Sequence, residues 1–122
     1  IAVDLDTPLA YSRCMEKPLH TVVETELYLR SAERVMSETE RHAVVDHLAL
    51  DPQAGDVIPG SGGMRKVRVP LSGRGKRGGG RVLTFYVTDR AVYLLMAYAK
   101  GDQANPSTEQ MRVLKRLIED LF

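Results

Sequence analysis

Three features of this chain predict an α+β domain. Short β-branched or alternating segments at residues 20–24, 64–70, 81–88 and 92–99 read as strands. Three other stretches carry apolar residues at helical spacing, and two of these open on a Ser-x-x-Glu or Ser-x-x-Gln signal. The last three strands follow one another with no helix between them, which favours an antiparallel meander. The predicted order is β-α-α-β-β-β-α, in one domain of the 122-residue chain.

Residues 1–19 show neither periodicity. They hold Pro8 and Pro18 and lack the run of roughly 7–15 apolar residues that a secretory signal carries. They are expected to form a poorly ordered extension, with Met15 the candidate natural start and residues 20–122 the domain proper. His20 to Glu24 is the first strand. From Thr25 to Met36 the residues Leu27, Tyr28, Ala32, Val35 and Met36 fall on or near one helical stripe. Ser37 and Glu40 form a capping box for a second helix, which turns Val44, Val45 and Leu48 inward and ends before Pro52. Residues 55–63 are rich in Gly and Pro and read as a loop.

In the next strand Val67 and Val69 alternate with Lys66 and Arg68, the pattern of a half-buried strand with one charged face. A glycine-rich basic connection at 71–80 leads to residues 81–88. Asp89 and Arg90 make a turn, and the near-continuous apolar run 92–99 suits a sheet centre. A polar loop at 100–106 precedes a second capping box, Ser107 with Gln110. The closing helix carries Met111, Leu114, Leu117, Ile118 and Leu121 at helical spacing. The first strand is expected at a sheet edge or beside the last strand, and the helices on one face.

Apolar residues make up 43% and charged residues 27%, ordinary values for a globular domain. No stretch approaches the ~20 apolar residues of a membrane-spanning helix. The single cysteine, Cys14, rules out an internal disulfide and points to a reducing, cytoplasmic setting. The net charge of +1 hides a sharp asymmetry. Residues 1–63 carry 5 basic and 11 acidic residues, residues 64–81 carry 7 basic and none acidic, and residues 82–122 carry 5 of each. A concentrated positive block in a near-neutral chain points to an anionic partner with a defined footprint.

Several chemistries lack their residues. His42 and His47 are five apart on one helix, whereas ligands on one helical face sit three or four apart, so no metal is expected. In the 73–77 segment Arg77 stands where a phosphate-binding loop needs Ser or Thr, and a strand follows instead of a helix. No Gly-x-Ser-x-Gly is present. No cofactor is called for.

The basic hairpin remains. Lys66 and Arg68 share a strand face, Arg81 opens the facing strand, and Arg65, Arg74, Lys76 and Arg77 are the expected polyanion contacts. Edge protection by lysine accounts for one or two such cations, not for seven without an intervening acid. Such a cluster can also cleave RNA without metal or histidine. The 2′-hydroxyl attacks its own 3′-phosphate when held in line, and guanidinium groups stabilise the charge that gathers on the phosphate oxygens. A lysine crowded by cations gives up its proton more readily and can serve as general base. Lys66 and Lys100 are the candidate bases, and Arg68 and Arg81 the stabilisers.

At residues 55–69 (GDVIPGSGGMRKVRV), 73–82 (GRGKRGGGRV), 93–100 (YLLMAYAK) and the closing helix, the chain resembles the RelE/HigB family of type II toxins, in particular the HigB-like branch with its longer glycine-basic connection. The resemblance spans about residues 20–122. It implies a RelE-like fold and a ribosome-dependent endoribonuclease that cuts mRNA in the decoding site and is neutralised by a helix-turn-helix antitoxin. By motif position it assigns Lys66 and Arg68 to the paired strand cations, Arg81 to the arginine opening the next strand, and Lys100 to the basic residue after the last one. The chain departs from RelE proper at Gly101, where a further arginine stands in the family, and in having no tyrosine after Tyr98. Two other readings share the same features: a non-catalytic RNA- or ribosome-binding module, and a ParE-like toxin acting on gyrase. Tyr86 and Tyr98 are candidates either for stacking on a base or for the core.

Overall fold

A computed structural model of the chain describes residues 19–71, 79–88 and 90–122. Among the described residues eight elements follow one another: β1 (Thr21–Glu24), α1 (Glu26–Val35), α2 (Glu38–Leu50), β2 (Asp56–Val57), β3 (Arg65–Val69), β4 (Gly80–Val87), β5 (Ala91–Ala99) and α3 (Thr108–Leu121). The expected extension, the candidate start at Met15, Cys14 and turn residue Asp89 lie outside the described residues. The fold is α+β, as the patterning indicates.

The strands form one sheet in the order β1-β5-β4-β3-β2. β3, β4 and β5 make the antiparallel meander. β1 lies at the edge beside β5 and runs parallel to it, Thr21 facing Ala91 and Glu24 facing Leu94. The short β2 was not expected. It arises inside the 55–63 loop, where Asp56 and Val57 pair with Lys66 and Arg65. Gly55 makes this possible: its φ is +91°, and an added Cβ would stand 2.5 Å from the Lys66 carbonyl oxygen.

Both capping boxes form. Ser37 N donates to Glu40 Oε1 at 2.8 Å and Glu40 N to Ser37 Oγ at 3.1 Å. The Ser107–Gln110 pair repeats this at 2.8 and 3.0 Å. Each box satisfies two backbone donors that a helix start leaves free. At α1, Thr25 accepts from Tyr28 N and donates to Leu94 O at 2.7 Å, fixing the helix start to β5. Where β1 ends, Ser31 Oγ takes over by accepting from Ala97 N at 2.9 Å.

The helices cover both faces of the sheet, not one. On one side α1 and α2 contribute Tyr28, Ala32, Val44 and Leu48 to a core with Val67, Val82 and Leu94. On the other, Leu114 of α3 packs with Leu83, Leu95 and Tyr98. Amphipathic spacing gives the apolar stripe of α3, but nothing within a helix says which side of a sheet it will meet. The apolar run of β5 supplies both faces, with a bulge: Leu83 faces Met96 and Thr84 faces Leu94, so Leu95 is the extra residue. The bulge resets the alternation, so that Leu95 and Met96 belong to the same core.

Candidate active site

The site is built on the α3 side of the sheet, where side chains at alternate positions share a face. In the β3–β4 register Lys66 faces Leu83 and Arg68 faces Arg81. In the β4–β5 register Arg81 faces Tyr98. Leu83 and Tyr98 belong to the α3-side core. Lys66, Arg68, Arg81 and Tyr98 therefore project from that same face. Residues directly opposed on antiparallel strands have Cβ atoms about 4.5–5.5 Å apart, and like charges so placed repel. The Arg68–Arg81 pair is such a placement. Arg68 is exposed. Arg81 is only 7% exposed, and its Nη1 donates to Gly80 O at 2.9 Å. A guanidinium so shielded from solvent acts in a weaker dielectric and is worth more to a phosphate than a rim cation. Tyr98 lies beneath this group. Burial raises its hydroxyl above the ordinary pKa of 10.0, and the Arg81 charge opposes the rise.

Lys66 is fixed from the far side of the site. Its Nζ donates to Asn105 Oδ1 at 3.0 Å. Asn105 lies in the 100–106 loop, which is held at several points. Tyr98 Oη donates to Ala104 O at 3.4 Å, and Gln103 Nε2 donates to Asn105 O at 2.9 Å. Gln103 Nε2 also donates to Gln110 Oε1 at 2.8 Å, the oxygen that caps α3. The capping box of α3 thus anchors the loop that holds Lys66. Beside Lys66 opens a cleft of about 480 Å³ between residues 56–60 and the start of α3, with Asn105, Met111 and Lys115 in its lining.

The family model for the RelE toxin of the RelE/RelB toxin-antitoxin system matches residues 50–122, more than half of the chain. The chain belongs to the RelE toxin family. It is accordingly the toxin of a toxin-antitoxin system, with an antitoxin as partner. The matched segment runs from the end of α2 through α3. It holds every member of the cationic face and the whole lining of the cleft.

The other expected site residues of this RelE-family chain distribute unevenly. Lys100 immediately follows β5; its N–H donates to Gly79 O at 3.1 Å, which sets it beside the start of β4, two residues from Arg81. Its side chain is exposed. Arg65 falls at the alternate position, on the α1–α2 side, and its Nη1 donates to Gly55 O at 3.0 Å across the β2 turn. It is therefore not gathered with Lys66, Arg68 and Arg81. Arg74, Lys76 and Arg77 lie outside the described residues. Tyr98 is buried in the α3-side core, while Tyr86 is half-buried against the other core, edge-on to His20 at 5.9 Å between ring centres. His42 and His47 are exposed on α2. No helix among the described residues is long and apolar enough to cross a membrane.

Sequence reasoning missed Asn105 and Lys115. Asn105 precedes Pro106, a pair that marks a turn without indicating what the amide will meet. Lys115 sits in an amphipathic helix whose polar residues are ordinarily a solvated face.

Proposed function

We propose that this toxin is an mRNA endoribonuclease of the HigB-like branch, acting on messages held in the decoding site of the ribosome, and hence in the cytoplasm. The observation that carries the reading is the shared face of Lys66, Arg68 and Arg81. The branch assignment rests on the glycine-rich basic connection at 71–80. Arg65, Arg74, Lys76 and Arg77 belong to the reading as contacts along the RNA backbone.

The ribose 2′-oxygen attacks the adjacent phosphorus. The 2′-O–P bond forms as the P–O5′ bond breaks, leaving a 2′,3′-cyclic phosphate and a 5′-hydroxyl. A lysine amine, from Lys66 or Lys100, accepts the 2′-hydroxyl proton, and a protonated neighbour returns one to the departing 5′-oxygen. Arg68 and Arg81 stabilise the charge that grows on the non-bridging oxygens. The antitoxin, a helix-turn-helix protein in this reading, blocks access to the face or holds it inactive.

Transcript 5′-end mapping after induction tests the proposal. New ends inside translated codons are expected for the wild type and not for Arg81→Ala. A non-catalytic module would produce none in either, and the variant would only loosen ribosome association. Intact messages together with gyrase-dependent DNA damage would favour the ParE-like reading.

A further inference from the structure

The cleft beside Lys66 combines features that neither a phosphate nor an apolar ligand needs alone. Ile58, Pro59 and Met111 give it apolar walls, and Lys66 and Lys115 give it two cations. Asp56, which faces Lys66 across β2 and β3, adds a carboxylate to the same lining. A carboxylate repels a bare polyanion or an acidic peptide but accepts from an amino group. A volume of about 480 Å³ lies within the roughly 300–1,000 Å³ of small-ligand pockets. Apolar walls, two cations and one acceptor match a nucleotide: a flat base, a phosphate and an exocyclic amino group.

We propose that this cleft seats the nucleotide adjoining the scissile phosphate, with Lys66 and Lys115 on its phosphate, Asp56 reading an exocyclic amino group, and Asn105 as the positioning residue that holds Lys66 at the rim. The inference rests on the ribonuclease reading and deepens it. Asn105 suits this role because its neutral amide oxygen accepts from Lys66 Nζ whether or not that group carries its extra proton. Its network to Tyr98 and to the α3 capping box makes that orientation a property of the folded loop.

The test separates the cleft from the reaction. The full chain is titrated with cytidine 3′-monophosphate, uridine 3′-monophosphate and inorganic phosphate while NMR signals of Asn105, Thr108 and Met111 are followed. Cytidine 3′-monophosphate should move these signals and bind about tenfold more tightly than phosphate, with the uridine analogue between them. Lys115→Glu, at an exposed position, should weaken the nucleotide about tenfold, and Asp56→Asn should erase the preference for cytidine. Equal response to all three probes, or shifts confined to other residues, overturns the cleft whether or not the protein cuts RNA. In cleavage assays Asn105→Ala should lower kcat about tenfold with KM within about twofold. Unchanged kcat, or loss of kcat restored by no amide at position 105 including Gln, overturns the positioning role. If the wild type leaves messages intact while the titration succeeds, the ribonuclease reading fails and the nucleotide site stands.

Discussion

The two faces of the sheet are built from the same strands yet end differently. On the α1–α2 side, β3 presents Val67 and Val69, and β4 and β5 continue the apolar surface through Val82, Leu94, Ala97 and Ala99. On the α3 side the apolar surface spans Leu83, Phe85, Tyr93 and Leu95 and then gives way to Lys66, Arg68 and Arg81 at the same kind of strand position. The first face is spent on packing from Val67 onward, with Arg65 at its β2 end bonded to Gly55 O. The second divides its positions between packing and charge, and the division falls where β3 and the start of β4 meet. Two arginines opposed there are a placement that packing alone does not require.

The contrast can be broken from either side. The largest effect is expected from Leu48→Ala, a fully buried α2 residue of the apolar face. It should lose about 2–5 kcal/mol in denaturant unfolding, by lost burial and an unfilled cavity. Arg81→Met comes next. It keeps most of the side-chain volume and should cost about 10²–10³ in cleavage rate while leaving the unfolding midpoint far less changed than Leu48→Ala does. A rate unchanged by this substitution would remove the distinction between the faces.

Much of this was legible from residue patterns, for identifiable reasons. Alternation of Val67 and Val69 with Lys66 and Arg68 fixes which side chains share a face, because the strand period is two. The Ser37 and Ser107 capping boxes are local, and both form. What escaped depends on distant partners. β2 exists because Gly55 lets two residues lie against β3, and β1, expected at an edge or beside the last strand, runs parallel to β5, a direction its own residues do not specify. The side taken by α3 and the meeting of Asn105 with Lys66, 39 residues apart in sequence, are likewise tertiary facts. Arg65 belongs to the same basic run as Lys66, yet its position in the alternation carries it to the other face.

Two smaller effects sharpen the picture of the apolar side. Thr84 is fully buried, and its hydroxyl has no hydrogen-bond partner among the described residues. Thr84→Val removes that polar group at nearly constant volume and should stabilise the fold by about 1 kcal/mol, read as a raised unfolding midpoint. Tyr28 is buried in the same core, and burial pushes its pKa from 10.0 up to about 12. The unfolded chain then releases this proton before the folded one does. Stability from Tyr28 is full below pH 10.0 and falls as the pH rises toward about 12. Tyr28→Phe should change little at neutral pH and flatten that alkaline loss, as measured by unfolding at a series of pH values.

In the proposed reading a cationic strand face directs a ribose hydroxyl onto its own phosphate. Its most direct test is cleavage of a ribosome-bound message carrying one 2′-deoxy nucleotide at the mapped cut position. Cutting of the all-ribose message to a 2′,3′-cyclic phosphate end is expected, and none at the deoxy position. Cleavage that persists through the 2′-deoxy nucleotide would contradict it.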